Sequence, residues 1–307
     1  MIQTLFLAAA LLAPPTAYAA PVDAIATCDA EWYDAARDRG VPVRIRMPAG
    51  SDRAPVILFS HGLGGSLDGG TNWAAAWAKA GFIVVNLQHQ GSDRSIIGSG
   101  RIGAAIAPAQ LVARVDDVHF VLDELGRRPR EGKCDLRRAD LAHIGMSGHS
   151  FGAHTTQAIA GQRFPMAGIT ADPRVKAAMA FSPSPPMRGS DAAAFGRVTI
   201  PFFSITGTKD AAPIMPSITP GDRERPFRAM PPGGKYLLVL EGANHMVFNG
   251  QDGLRGPAST ATPHVRETVI AATTLFWRAT LLGDASARVT LGGFGASLPS
   301  GDRFEQK

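Results

Sequence analysis

Two hydrophobic rhythms alternate along this chain. Val43, Ile45 and Met47 take turns with Arg44 and Arg46, the period-two pattern of an edge strand with one wet face. Six further segments, residues 56–59, 82–85, 142–146, 178–181, 201–205 and 236–240, are nearly continuous apolar runs, as strands buried on both faces are. Between them the spacing turns helical. Trp73 and Trp77 stand four apart behind Asn72, a candidate N-cap, and Gly81 occupies the place of a helix-terminating glycine. Val115, Val118, Val121, Leu122 and Leu125 form a helical stripe with Asp116, Asp117, Asp123 and Glu124 on the other side. Thr262 as N-cap and Pro263 behind it open a last helix through Val265, Val269, Ala272 and Phe276 that closes at Gly283. Strands alternating with amphipathic helices require crossover connections. The expected fold class is therefore α/β, a mostly parallel central sheet with helices on both faces.

Composition narrows this further. The chain has 307 residues, 45% of them hydrophobic and 19% charged, enough apolar material for one large core and too much for a disordered chain. No Pro/Ser-rich linker or internal repeat divides it, so residues 20–307 read as a single domain. Residues 1–19 read differently: nine apolar residues at 5–13 precede Pro14-Pro15 and Ala17-Tyr18-Ala19. That is the pattern of a signal peptide with an A-x-A cleavage site, although residues 1–4 carry no Lys or Arg. No later stretch approaches the ~18 continuous apolar residues of a membrane span. The expected protein is secreted or periplasmic, without stable membrane insertion after cleavage.

The net charge of +5 raises the question of nucleic acid, and Arg127, Arg128, Arg130, Lys133, Arg137 and Arg138 do cluster. Pro129, Glu131, Gly132 and Asp135 interrupt them and no aromatic residue is interleaved, which reads as a solvated connecting loop; no nucleic-acid partner is expected. The two cysteines, Cys28 and Cys134, are either disulfide partners or two buried thiols. Neither has C-x-x-C or metal-ligand spacing, so no metal or cofactor is expected.

Candidate chemistry begins at Gly148-His149-Ser150-Phe151-Gly152, a G-x-S-x-G pattern directly after a predicted strand and before a helix-like run at 153–160. A nucleophile on so sharp a strand-to-helix turn needs small residues two positions away on each side, and the helix N-terminus then aims free N–H groups at a developing oxyanion. A serine hydroxyl also needs a base oriented by a carboxylate. Of the eight histidines, His245 follows the 236–240 strand at the catalytic edge of such a sheet, with His264 in reserve. His149 reads as the variable residue of the turn, His119 as helix surface, His143 as a strand residue and His154 as a helix residue. Asp210 follows the 201–205 strand, which gives the order Ser150, Asp210, His245; Asp172 and Asp252 are the rival acids, and an ordinary turn aspartate near the surface stays open for Asp210. His61-Gly62-Leu63-Gly64-Gly65 follows the 56–59 strand, and backbone N–H groups of Leu63 and Phe151 are the candidate oxyanion donors. A dinucleotide loop begun at Gly62 would need glycine where Leu67 stands.

With these residues placed, the chain resembles the α/β-hydrolase superfamily. Within it, residues 59–64, 114–118 and 148–153 are similar to secreted bacterial esterases related to platelet-activating-factor acetylhydrolase and to predicted dienelactone hydrolases. The resemblance implies Ser-His-Asp hydrolysis of a carboxylic ester, small or polymeric, through an acyl-enzyme. Two departures stand out. Acetylhydrolases of that type place their acid after the 178–181 strand, where this chain has Ser182-Pro183-Ser184-Pro185-Pro186; dienelactone hydrolases proper use cysteine where this chain has Ser150. An acid after the next strand is instead similar to bacterial lipases and cutinase-type polyester hydrolases. Short acyl groups are the expected substrates, with polyester or amide hydrolysis, or a noncatalytic binding role on the same fold, as alternatives. The oligomeric state is left open.

Overall fold

A computed structural model describes residues 25–164, 170–212, 217–251 and 263–307; the expected signal peptide, Thr262 and Asp252 lie outside them. In chain order the strands are β1 (Ala26–Asp34), β2 (Arg39–Met47), β3 (Ala54–Ser60), β4 (Ile83–Leu87), β5 (Arg130–Glu131), β6 (Cys134–Asp135), β7 (Ala139–His149), β8 (Val175–Phe181), β9 (Phe202–Lys209), β10 (Lys235–Asn244) and β11 (Arg303–Gln306). The helices are α1 (Thr71–Lys79), α2 (Ile102–Ala105), α3 (Pro108–Arg127), α4 (Phe151–Ile159), α5 (Asp191–Phe195), α6 (Arg225–Ala229), α7 (Pro263–Leu281) and α8 (Ala285–Gly292).

Among the described residues nine strands form one sheet in the order β1-β2-β4-β3-β7-β8-β9-β10-β11. All six continuous apolar runs fall in its parallel centre, β4 to β10, and antiparallel strands close both sides. The period of two along β3 shows how both faces are buried. Ile57 and Phe59 join one apolar layer with Trp73 and Trp77 of α1 and Phe276 and Trp277 of α7. Val56 and Leu58 join the other with Val118, Val121 and Leu122 of α3. Three of the four tryptophans thus lie in the first layer, while Trp32 of β1 lies in the second.

Four expectations need correction. β2 is not the edge: β1 pairs with it along its whole length, and Arg46 is consequently buried, donating to Asn86 Oδ1 at 2.6 Å. Helix α1 opens at Thr71 behind Gly70, whose φ is +74°, rather than at Asn72, because the Gly70 carbonyl already accepts the first helical bond, from the Ala74 N–H at 2.8 Å. Asp117 is fully buried, not on the wet side of α3. The basic segment holds a hairpin, β5–β6, rather than a plain loop. Arg127, Arg130, Lys133 and Arg137 remain exposed on it, but Cys134 is bonded to Cys28 with the Cα atoms 6.2 Å apart, which fastens the hairpin to β1. No helix among the described residues is long and apolar enough to cross a membrane.

Candidate active site

The carboxyl ends of β3, β7, β9 and β10 lie along one edge of the sheet, where ligands meet open parallel sheets. Each delivers one part of the site. β7 ends at His149 and α4 begins at Phe151, leaving Ser150 between them with φ +56° and ψ −113°. A non-glycine residue is seldom held there, so the surrounding structure imposes it. A β-carbon on Gly148 would sit 2.6 Å from the Gly152 carbonyl carbon and 2.7 Å from the Ser60 carbonyl oxygen, and one on Gly152 would collide with that same oxygen. Both glycines are therefore required for the turn to pack against β3.

Ser150 Oγ lies 2.8 Å from His245 Nε2, and His245 Nδ1 lies 2.7 Å from Asp210 Oδ1. With the Nδ1 hydrogen donated to the carboxylate, Nε2 is free to accept from the serine. Asp210 is fully buried. Its Oδ2 accepts from Thr206 Oγ1 at 2.8 Å, and the guanidinium of Arg223 stands 3.6 Å from Oδ1. Asn244 caps the turn that starts at His245, its side chain accepting from the Met246 and Val247 N–H groups. The sequence-predicted trio is thus brought together. His264 instead pairs with Asp302 Oδ2 at 2.7 Å, and Asp172 binds Arg174 ahead of β8. Asp252 lies outside the described residues.

Two further residues belong to the site, Arg223, which the sequence does not single out, and His149, which it offers only as the variable residue of the turn. Arg223 is buried and its Nη1 donates to the Ser182 and Pro183 carbonyls at 3.2 and 3.3 Å. It therefore ties the segment after β8 to the aspartate, and Ser182 is held there at φ +56°. His149 is buried beside the His245 ring, and its Nε2 donates to the His245 carbonyl at 2.9 Å. Burial, reinforced by the neighbouring His245, keeps the His149 imidazole far below its usual pKa and thus neutral. A lone arginine after a proline-rich segment gives no periodic signal, and His149 ends a strand buried at every position from 144 to 149, where alternation flags nothing.

The loop after β3 faces Ser150: a β-carbon on Gly62 would lie 3.4 Å from Ser150 Cβ. The Gly62 carbonyl accepts from the Gly65 N–H at 3.0 Å and from His61 Nδ1 at 2.6 Å. In a trans peptide the N–H points opposite to the carbonyl, so Leu63 N–H is turned away from those donors. His61 Nε2 accepts the His89 N–H at 2.9 Å, which fixes the tautomer. Phe151 N–H is the first of the orphan donors that every helix N-terminus carries.

No family model matches the sequence, and no curated protein matches it. A solved structure of a ferulic acid esterase from Streptomyces cinnamoneus is similar over 95% of this chain and 98% of its own, with a TM-score of 0.64 at 18% identity. At that identity the likeness is one of fold. It joins the nine-stranded, mostly parallel sheet in showing that this chain carries the α/β-hydrolase fold.

Proposed function

We propose that the protein is a secreted serine hydrolase of carboxylic esters. The observation that carries the reading is the unbroken hydrogen-bonded line from Ser150 Oγ through His245 to a buried Asp210, set on a strained turn. Ser150 Oγ attacks the ester carbonyl as His245 Nε2 takes its proton. The oxyanion forms against the Leu63 and Phe151 N–H groups, each donor of this kind contributing about 3 to 4 kcal/mol. Collapse expels the alcohol with the proton from His245, and water, activated by the same imidazole, frees the acid. Residues 1–19 and a disulfide, a bond that persists in oxidising compartments, support export. The similar ferulic acid esterase supports an ester as substrate.

Short acyl groups are favoured because, among the described residues, the connections after β8 and β9 carry α-helices of only five residues, α5 and α6. A specific observation supports polymeric esters as the second reading. Ile97, 72% exposed, lies over Gly64 of the oxyanion loop, and Met246, 39% exposed, follows the base, so exposed apolar side chains adjoin both the loop and the histidine.

The deciding experiment pairs a substrate panel with a Ser150→Ala control: p-nitrophenyl acetate, butyrate and palmitate, methyl ferulate, polyester film and a peptide amide. Turnover should be fastest on the acetate and butyrate, vanish in Ser150→Ala, and a fluorophosphonate should label Ser150. Labelling at Ser147, which is buried in β7, or activity on amides alone, would overturn the reading.

A further inference from the structure

Behind the site lies a second line of serine, histidine and aspartate that meets no solvent. Ser60 Oγ is 2.9 Å from His89 Nε2, and His89 Nδ1 is 3.0 Å from Asp117 Oδ2. All three are fully buried. They cannot receive a substrate, yet the line ends on a charged group that touches the site.

That group is Arg114, on α3 and itself without exposed surface. Its Nη2 donates to Ser60 Oγ at 2.8 Å and to the His61 carbonyl. Nη1 donates to Ser92 Oγ at 2.9 Å and Nε to Thr155 Oγ1 at 2.9 Å. The guanidinium carbon stands 4.5 Å from the centre of the Phe151 ring. Ser92 in turn holds the loop from its far side, its carbonyl accepting the Gly64 N–H at 2.9 Å. One planar cation therefore grips the Leu63 loop directly at His61 and indirectly through Ser92, and the start of α4 at Phe151 and Thr155.

The direction of each hydrogen bond follows from the donors. Arg114 can only donate, so Ser60 Oγ accepts from it; Asp117 as a carboxylate can only accept, so a neutral His89 donates to it from Nδ1 and takes the Ser60 hydrogen at Nε2. Burial first, and the nearby Arg114 charge second, push the His89 imidazole down to about 4. It is thus neutral at the pH of ester hydrolysis, as this bonding pattern demands. Asp117 is the counterion: burial opposes its charge, but hydrogen bonds from His89 and Arg39 hold its carboxyl below the ordinary range. Arg39 Nε and Arg37 Nη1 reach it at 2.7 and 2.8 Å.

Resting on the hydrolase reading above, we propose that Arg114 is a positioning residue for the oxyanion site. It locks the Leu63 loop to the first turn of α4, with Ser60, His89 and Asp117 fixing the guanidinium in place. Lysine preserves the charge but lacks the planar fork that serves four acceptors. Arg114→Lys should therefore let the two donors drift, and a misplacement near 1 Å costs about 10²-fold.

The test compares wild type, Arg114→Lys, Thr155→Val and Ser150→Ala on p-nitrophenyl acetate. Active sites are counted with a fluorophosphonate, and folding is followed by thermal melting. Arg114→Lys should lose about 10- to 100-fold in kcat per counted site with KM within two-fold, because the donors act on the transition state. A purely structural role would lower the melting temperature and leave kcat per counted site within three-fold, which overturns the proposal. If Arg114→Lys shows no cooperative melting, Thr155→Val decides: a kcat loss above three-fold supports the proposal, and a smaller one overturns it. Activity surviving in Ser150→Ala would sink the hydrolase reading itself, whatever Arg114 does.

Discussion

Both carboxylate oxygens of Asp210 are committed, one to His245 and one to Thr206, with Arg223 beside them. Under the proposed mechanism Asp210→Asn upsets the imidazole tautomer and should lose on the order of 10³ to 10⁴ in kcat. It should also destabilise the fold by about 1 to 3 kcal/mol, since a buried arginine loses its anion. Asp172→Asn should stay within a few-fold of wild type; steady-state kinetics and urea unfolding of both variants check this, and the opposite ranking would move the acid to another strand. The burial is what the sequence concealed. Ser150, Asp210 and His245 were legible because each directly follows an apolar strand, and chain order did the rest. A turn aspartate near the surface was the open alternative for Asp210, but Arg223, which encloses the carboxylate, comes from a four-residue 3-10 turn, Gly221–Glu224, too short to show a pattern of its own. His149 was passed over because only three dimensions show its ring on the His245 carbonyl.

At the scale of elements, the strands that were legible are those whose two faces both touch helices. β1 escaped notice although it alternates: Cys28 and Trp32 point inward, while Thr27, Asp29, Glu31 and Tyr33 point out. Two large inward residues in nine make a faint signal, and β11, with Phe304 amid Arg303, Glu305 and Gln306, makes a fainter one. The edge has a covalent anchor instead of a thick apolar face. The Cys28–Cys134 bond spans 106 positions, a loop length at which cross-linking is worth about 2 to 5 kcal/mol. Reduction, or Cys28→Ser with Cys134→Ser, should lower stability by that amount in urea unfolding. A midpoint unchanged by reductant would show that β1 and its hairpin hold without the bond.

For the whole molecule, four histidines shape behaviour in acid. Burial is the main cause holding His61, His89, His149 and His154 below their usual range. Each is neutral when folded and takes up a proton when unfolded, so the unfolded chain binds more protons below about pH 6.5 and stability falls with pH. His89, at about 4, should alone remove roughly 3 kcal/mol between pH 6.5 and 4. Urea midpoints at pH 7.5, 6.0 and 5.0 measure the decline; a flat profile would mean that these rings are not sealed. The tryptophans supply a different kind of readout. Trp73, Trp77 and Trp277 share the layer of α1 and α7, while Trp32 sits in the other, its indole N–H on Glu131 at 2.9 Å and the Arg128 guanidinium over its ring. Intrinsic fluorescence is therefore weighted three to one toward one side of the sheet, whereas far-ultraviolet circular dichroism samples both sides through the backbone. Superimposed melting traces from the two methods mean that the layers come apart together, and a dichroism change that precedes the emission change identifies the disulfide side as the one that opens first.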